Sequence, residues 1–396
     1  MIRDFGVPTF IPVMNVLQKL TAIHPDFGST PTIDVVAALQ SWNEKEFFDE
    51  LGSVVWLVSF ADIQEIPADI HTRLPSNKIF LCIPESVCAD KANQTKLKHF
   101  ASNGFRIVTD QFASSLELAW SETKYFALDA SAGIPFFAKS WTSRLGTAPQ
   151  WAKNIATRAL LDQALQAGFK LLSGEYAFNP PINNKAADST ARTRLLKLLG
   201  LVSRDADSCE LEELFKQDPS LSFMLFKLVS SAAFAQTVRV SSFGQAINLL
   251  GRRQLQRWLQ LLLYARPQEV AGALNPLMAR AAFRASMMEA ICKKNGGSKD
   301  EQDAAFMVGM FSLLDKLFGS DLNDVLNPLS LQEDVLSALL QRTGKLGNAL
   351  RLVELADRPR TADIDKALAA TEVTAEIFED CLLQAYVWVN LVCREA

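Results

Sequence analysis

The 396-residue chain is 49% hydrophobic and 21% charged, with a formal net charge of −4. This balance excludes global disorder, and the mild negative charge argues against a strong nonspecific nucleic-acid or membrane-surface binder. The length suits two or three domains, each able to bury a core.

The opening MIRDFGVPTFIPVMNVL does not read as a secretory signal, because Asp4 and Pro8 interrupt it and no clear cleavage site follows. No apolar run reaches the roughly 20 residues of a membrane span. The six cysteines, Cys82, Cys88, Cys209, Cys292, Cys381 and Cys393, form no Cys-x-x-Cys pair. A zinc ribbon or thioredoxin-like site is therefore not expected, and the reducing cytoplasm is the expected compartment.

Residues 53–60 (SVVWLVSF), 78–84 (KIFLCIP), 105–109 (FRIVT) and 125–128 (YFAL) read as buried strands. Helical runs at 89–103 and 149–167 lie between and after them, with Gly104 and Gly168 placed as C-terminal caps. The alternation predicts a parallel α/β sheet or barrel. Leu39, Trp42, Phe47 and Phe48 form an apolar group that suits either core or an interaction surface.

Residues 179–194 (NPPINNKAADSTARTR) carry almost nothing to bury and read as a linker. The expected division is an α/β domain over 1–180, a linker over 181–194 and an all-α domain over 195–396. In the second half, Asp218-Pro219-Ser220 precedes an apolar helix at 221–230, and Ser242 to Gln245 fits a capping box. Further helices are expected near 276–295, 300–318, 330–341, 345–356 and 363–392, with no strand. The apolar stretch 377–392, with Trp388 and Val389, suits core first and a homodimer surface second.

Residues 306–319 (FMVGMFSLLDKLFG) are apolar around most of a helix, which predicts burial. The only histidines are His24, His71 and His99, all before the linker. They read as ordinary residues. Arg239, Arg252, Arg253 and Arg257 could mark a phosphate site, but no basic stripe interleaved with aromatics supports nucleic acid, so a solvated helix face is expected. No Gly-x-Gly-x-x-Gly or Walker loop is present, and no motif frames a catalytic nucleophile.

The stretch 218–263 resembles the HDOD domain. The matching elements are Asp218-Pro219, Val229-Ser230-Ser231-Ala232, Ser241-Ser242, Ala246-Ile247 and Leu250-Gly251. The resemblance covers about 190–360. It implies a relative of the His-Asp phosphohydrolases without their metal ligands, and Ser312 and Leu313 stand where the His-Asp pair would be. Without a histidine in this half, that metal centre cannot be assembled.

The first half resembles an EAL domain, the cyclic-di-GMP phosphodiesterase fold, most clearly in Gly168-Phe169 through Ser173-Gly174, Phe178 and Pro180. An EAL domain followed by HDOD is a known, YuxH-like order. Against the family pattern, the Glu-Ala-Leu strand has no counterpart. Cys82, Gln111 and Thr157 replace metal-binding carboxylates, Ala127 replaces the catalytic lysine, and Ser173 replaces a glutamine. Glu85, Asp110 and Asp129 remain as ligand-binding remnants. The half is also short for a complete barrel.

The expected fold is thus a multidomain α and β chain, with a degenerate (β/α) EAL-like barrel, either complete or lacking an early element, followed by an all-α HDOD-like domain. The expected function is a non-enzymatic bacterial regulatory protein, with no catalytic residue, metal or cofactor. It would contact other signalling proteins in or near cyclic-di-GMP signalling. The alternatives are a receptor that binds a cyclic dinucleotide without cleaving it, and a residual phosphodiesterase.

Overall fold

The computed structural model describes residues 7–28, 34–111, 124–145, 148–179, 186–218, 221–222, 224–225, 243–264, 274–329 and 331–395. Eight strands close a barrel in sequence order: β1 (Thr9–Met14), β2 (Leu20–Asp26), β3 (Val55–Ser59), β4 (Ile79–Pro84), β5 (Arg106–Asp110), β6 (Tyr125–Asp129), β7 (Trp151–Lys153) and β8 (Leu171–Leu172). Strands β2 to β8 run parallel, and β1 is antiparallel to both its neighbours. The C-terminal ends of β2 to β8 therefore share one rim, where side chains from different strands can converge.

Of the two alternatives left open by the short length, the complete barrel is the one formed. Four strands lie outside the runs read as strands: β1, β2, β7 and β8. Strands β1 and β2 contain Pro12 and Pro25, and proline within a run argues against a strand by sequence alone. Strand β7 lies inside the stretch expected to be helical. It is three residues long, and Thr157 then caps the next helix through the Leu160 N–H. Gly104 and Gly168 do turn with positive φ at their helix ends.

Helices α1 (Val35–Glu44) and α2 (Phe47–Glu50) follow β2, α3 (Glu85–Ala89) and α4 (Gln94–Ser102) follow β4, α5 (Ala138–Arg144) follows β6 and α6 (Arg158–Gln166) follows β7. Alternate strand residues, among them Val13, Leu57, Phe80, Cys82, Val108, Ala127 and Trp151, fill the barrel interior.

After β8 the chain is helical, with no strand among the described residues. The helices are α7 (Ala186–Ser203), α8 (Ser208–Lys216), α9 (Phe243–Leu250), α10 (Arg252–Tyr264), α11 (Pro276–Lys294), α12 (Lys299–Phe311), α13 (Leu314–Phe318), α14 (Leu322–Leu326), α15 (Glu333–Gln341), α16 (Gly344–Ala356), α17 (Asp363–Ala369) and α18 (Ala375–Glu395). Helix α7 takes up most of the expected linker. The polar stretch is its first two turns, and its later turns bury Leu195, Leu196, Leu198 and Leu199. A boundary at residue 194 would cut this helix. Ser230, Ser231, Arg239 and Ser242 lie outside the described residues, and with them the expected capping box.

The stretch 306–319 is buried, as its composition predicts, but it breaks between Phe311 and Leu314. Helices α11 and α12 meet at Gly309, where a Cβ would lie 2.5 Å from the Ala285 backbone. Glycine there permits the close approach.

The two halves share one apolar core. Strand β1 leads into β2 through a tight turn rather than a helix, and only 3-10 turns are assigned between β3 and β4. The helical half covers the gap. Phe10 on β1 packs edge-on to Trp42 and Trp56, and Tyr386 of α18 lies against it at 5.8 Å between centroids. Trp42 Nε1 donates to Glu379 at 2.7 Å, Lys45 pairs with Asp380 at 2.6 Å, and Asn390 Nδ2 donates to the Leu51 carbonyl at 3.0 Å. Leu39, Trp42, Phe47 and Phe48 are thus core, and α18 packs against the barrel.

Candidate functional site: the barrel mouth

A cavity of about 740 Å³ opens at the rim formed by the strand ends. His24, Asp26, Asp34, Glu65, Asp110 and Gln111 are among its lining residues. Four of these six are carboxylates. A phosphodiester entering the mouth without cations would meet like charge.

Asp110 ends β5 and is almost fully buried. Lys153, at the end of β7, donates to both Asp110 oxygens, at 2.6 and 2.8 Å. Asp110 also accepts from the N–H of Gln111, which turns with φ +52°. The carboxylate the sequence marks as a ligand remnant is therefore saturated by a protein cation. A divalent ion would have to displace the ammonium before using those lone pairs.

Asp129 ends β6, the strand next to β5. It accepts from the Ser131 N–H at 2.9 Å and from Asn154 Nδ2 at 2.8 Å. Burial works to raise its pKa, but these hydrogen bonds and Lys153 outweigh that and hold the carboxyl below its usual value. Glu85 sits in the first turn of α3. The three carboxylates are thus held separately: Asp110 by Lys153, Asp129 by Asn154, and Glu85 on a helix.

The positions at which the resemblance implies substitutions have structural roles. Cys82 points into the barrel core, and burial drives its thiol pKa well above the usual value. Ala127 is interior, Thr157 caps α6, and buried Ser173 accepts the Trp151 indole N–H at 2.9 Å. Next to it, Gly174 turns with φ +143°, and a Cβ there would strike the Ile155 backbone at 2.3 Å. Among the described residues, no three His, Cys, Asp or Glu side chains cluster as a metal site.

Sequence reading missed two members of the mouth. His24, taken as an ordinary residue, is half-buried, donates from Nδ1 to the Leu57 carbonyl at 2.7 Å and packs edge-on to Trp151 at 5.2 Å. Burial is the main cause that lowers its pKa, so the neutral ring is favoured. Lys153 was missed because β7 itself was. The only signal for either was a polar side chain at the end of an apolar run. His71 and His99 lie side by side, 5.8 Å between ring centroids, away from this site on helical segments after β3 and β4.

The arginine group in the helical half also departs from expectation. Arg257 is bonded to Glu289 and Asp303 and covers the Phe306 ring, Arg253 bonds Asp303 and the Lys299 carbonyl, and Arg252 donates to the Ala206 carbonyl. These side chains tie helices together rather than forming a solvated face. No helix among the described residues is long and apolar enough to cross a membrane.

Comparison with known proteins places these features. Residues 189–324 match the HDOD domain. The Bacillus subtilis protein YuxH is 26% identical over 241 residues, covering 60% of this chain and 58% of its own. The Vibrio cholerae cyclic di-GMP phosphodiesterase CdgJ is 27% identical over 246 residues, covering 61% of this chain and 56% of its own. The chain thus spans about half the length of these curated relatives. Among solved structures, the Xanthomonas citri FimX EAL domain in complex with c-diGMP overlays with a TM-score of 0.35 and 19% identity, covering 44% of this chain and 87% of its own. A Vibrio cholerae standalone EAL protein, bound to c-di-GMP, overlays with a TM-score of 0.33 and 16% identity, covering 44% of this chain and 91% of its own.

Proposed function

We propose that this chain of the EAL–HDOD type, an EAL-like barrel joined to an HDOD domain, is a non-enzymatic regulatory protein acting through protein contacts in or near cyclic-di-GMP signalling. The Lys153–Asp110 pair carries the reading. Two-metal phosphodiester hydrolysis needs several carboxylates that hold ions and a base that activates water. Here the buried carboxylate of the mouth is neutralised by an ammonium, and Cys82, Ala127 and Thr157 are committed to packing or capping. In the helical half, Ser312 accepts a hydrogen bond from Arg284 at 3.2 Å. A cationic side chain therefore occupies the neighbourhood of a former ligand position in both halves.

The resemblance to CdgJ supports the link to cyclic-di-GMP signalling. The receptor reading draws on the volume of the mouth, and its carboxylate lining weighs against it.

The test is equilibrium binding of labelled cyclic-di-GMP to the purified chain, with and without Mg²⁺ or Mn²⁺, followed by analysis of the ligand for cleavage. Neither saturable binding nor cleavage is expected. Binding with intact ligand would convert the reading to a receptor, and metal-dependent cleavage would overturn it.

A further inference from the structure

A second cavity, about 540 Å³, lies in the helical half between α16 and α17, with α11 beneath it. Its lining has four cations, Arg284, Arg351, Arg358 and Lys366, and one carboxylate, Glu354. That carboxylate is already shared: Arg342 reaches both its oxygens, at 2.8 and 3.1 Å, and Arg284 approaches at 3.3 Å. The charge balance is the opposite of the barrel mouth.

The cations are held from below. Arg284 is 3% exposed, and its Nε donates to buried Asp357 at 2.9 Å. Its Nη1 bonds Ser312 and Glu354, while its Nη2 has no hydrogen-bond partner among the described residues. Arg280 donates to the other Asp357 oxygen at 2.7 Å. The guanidinium groups of Arg280, Arg284 and Arg358 all lie over the Phe178 ring, at 5.0, 5.5 and 5.5 Å. Phe178 ends the 3-10 turn that follows β8, so this floor is braced by both halves. Arg351 has no carboxylate within 4 Å among the described residues, and Lys366 reaches only the exposed Asp363.

Sequence spacing builds the walls. Asn348, Arg351, Leu355 and Arg358 recur at three- and four-residue steps along one face of α16 and just beyond it. On α17 and just beyond it, Ala370 follows Lys366 and Ala367 by four and three residues, and the two alanines leave room beside Leu355.

The geometry points to this groove as a binding site for a phosphorylated small molecule of nucleotide size. Guanidinium forks suit phosphate oxygens, the braced floor limits the ordering cost, and the Leu355–Ala367–Ala370 wall accepts an apolar portion. The volume lies within the range of small-molecule sites.

Calorimetric titration of the full chain at low salt, with sodium pyrophosphate and separately with ATP, tests the site. Saturable binding of at least one probe is expected, weakened about ten-fold or more by Arg351→Ala and by Lys366→Ala, a loss worth about 1.4 kcal/mol. Both residues are exposed, so unchanged thermal melts will confirm that the variants fold. Arg73→Ala, which removes an exposed cation from the barrel half, should leave binding unchanged. The absence of saturable binding for both probes overturns the inference, as does an equal loss in Arg73→Ala, which would show only general charge attraction. Neither result bears on whether the barrel mouth takes cyclic-di-GMP.

Discussion

Tyr386 and Phe10 are 376 residues apart, and the Tyr386 hydroxyl donates to the Phe10 carbonyl at 2.7 Å. The bond joins the last helix to the first strand inside a shared aromatic cluster. Tyr386→Phe keeps the ring but leaves a buried carbonyl without that donor. The expected cost is about 1–3 kcal/mol. The unfolding transition should stay single, because barrel and helices share a core. Denaturant unfolding followed by tryptophan fluorescence and by far-UV dichroism will check this. Two separated transitions would show that the halves unfold independently.

Much of this architecture is legible in the sequence, and the exceptions have local physical causes. Strands β3 to β6 are continuous apolar runs and declare themselves. Strands β1 and β2 contain prolines, and β7 is only three residues long, so neither periodicity nor propensity marks them. Asp110 and Asp129 are found by resemblance. Lys153 is not, because its role depends on register across β5, β6 and β7, which no local pattern encodes. Arg280, Arg284 and Asp357 are similarly invisible, since their pairing depends on how α11 meets the end of α16.

Gly309 tests the helix crossing. An Ala Cβ there would lie 2.5 Å from the Ala285 backbone, and neither side can yield as a flexible side chain could. Helices α11 and α12 must separate. Gly309→Ala should destabilise by about 1–3 kcal/mol, despite the better helix propensity of alanine. Equal or higher stability of the variant in urea would show that the crossing is looser than described.

His24 predicts a pH dependence. Its pKa is depressed below the ordinary 6.5, chiefly by burial. The unfolded chain therefore takes up the proton first as the pH falls. The stability due to neutral His24 is complete above pH 6.5 and is lost as the pH drops toward the lower native pKa. His24→Gln should flatten the stability profile below pH 6.5, whatever it does to stability at pH 8. Chemical unfolding at several pH values measures the slope, and identical slopes for both proteins would remove His24 as its source.

Lys153 makes the most direct test of the mouth. Its side chain is 17% exposed and that of Asp110 is 7%, so the pair is largely withdrawn from solvent. Lys153→Ala strands the carboxylate, at an expected cost of about 2–3 kcal/mol. The double variant Lys153→Ala/Asp110→Ala should cost less than the sum of its single changes, because no charge is left unpaired. The ammonium also blocks the approach of a metal ion. Mn²⁺ should therefore raise the melting temperature of Lys153→Ala more than that of the unaltered chain, by linkage to binding at the freed Asp110. A matching rise in the unaltered chain would mean that Lys153 yields the carboxylate readily. The case against hydrolysis would then rest on the packing and capping roles of Cys82, Ala127 and Thr157 alone.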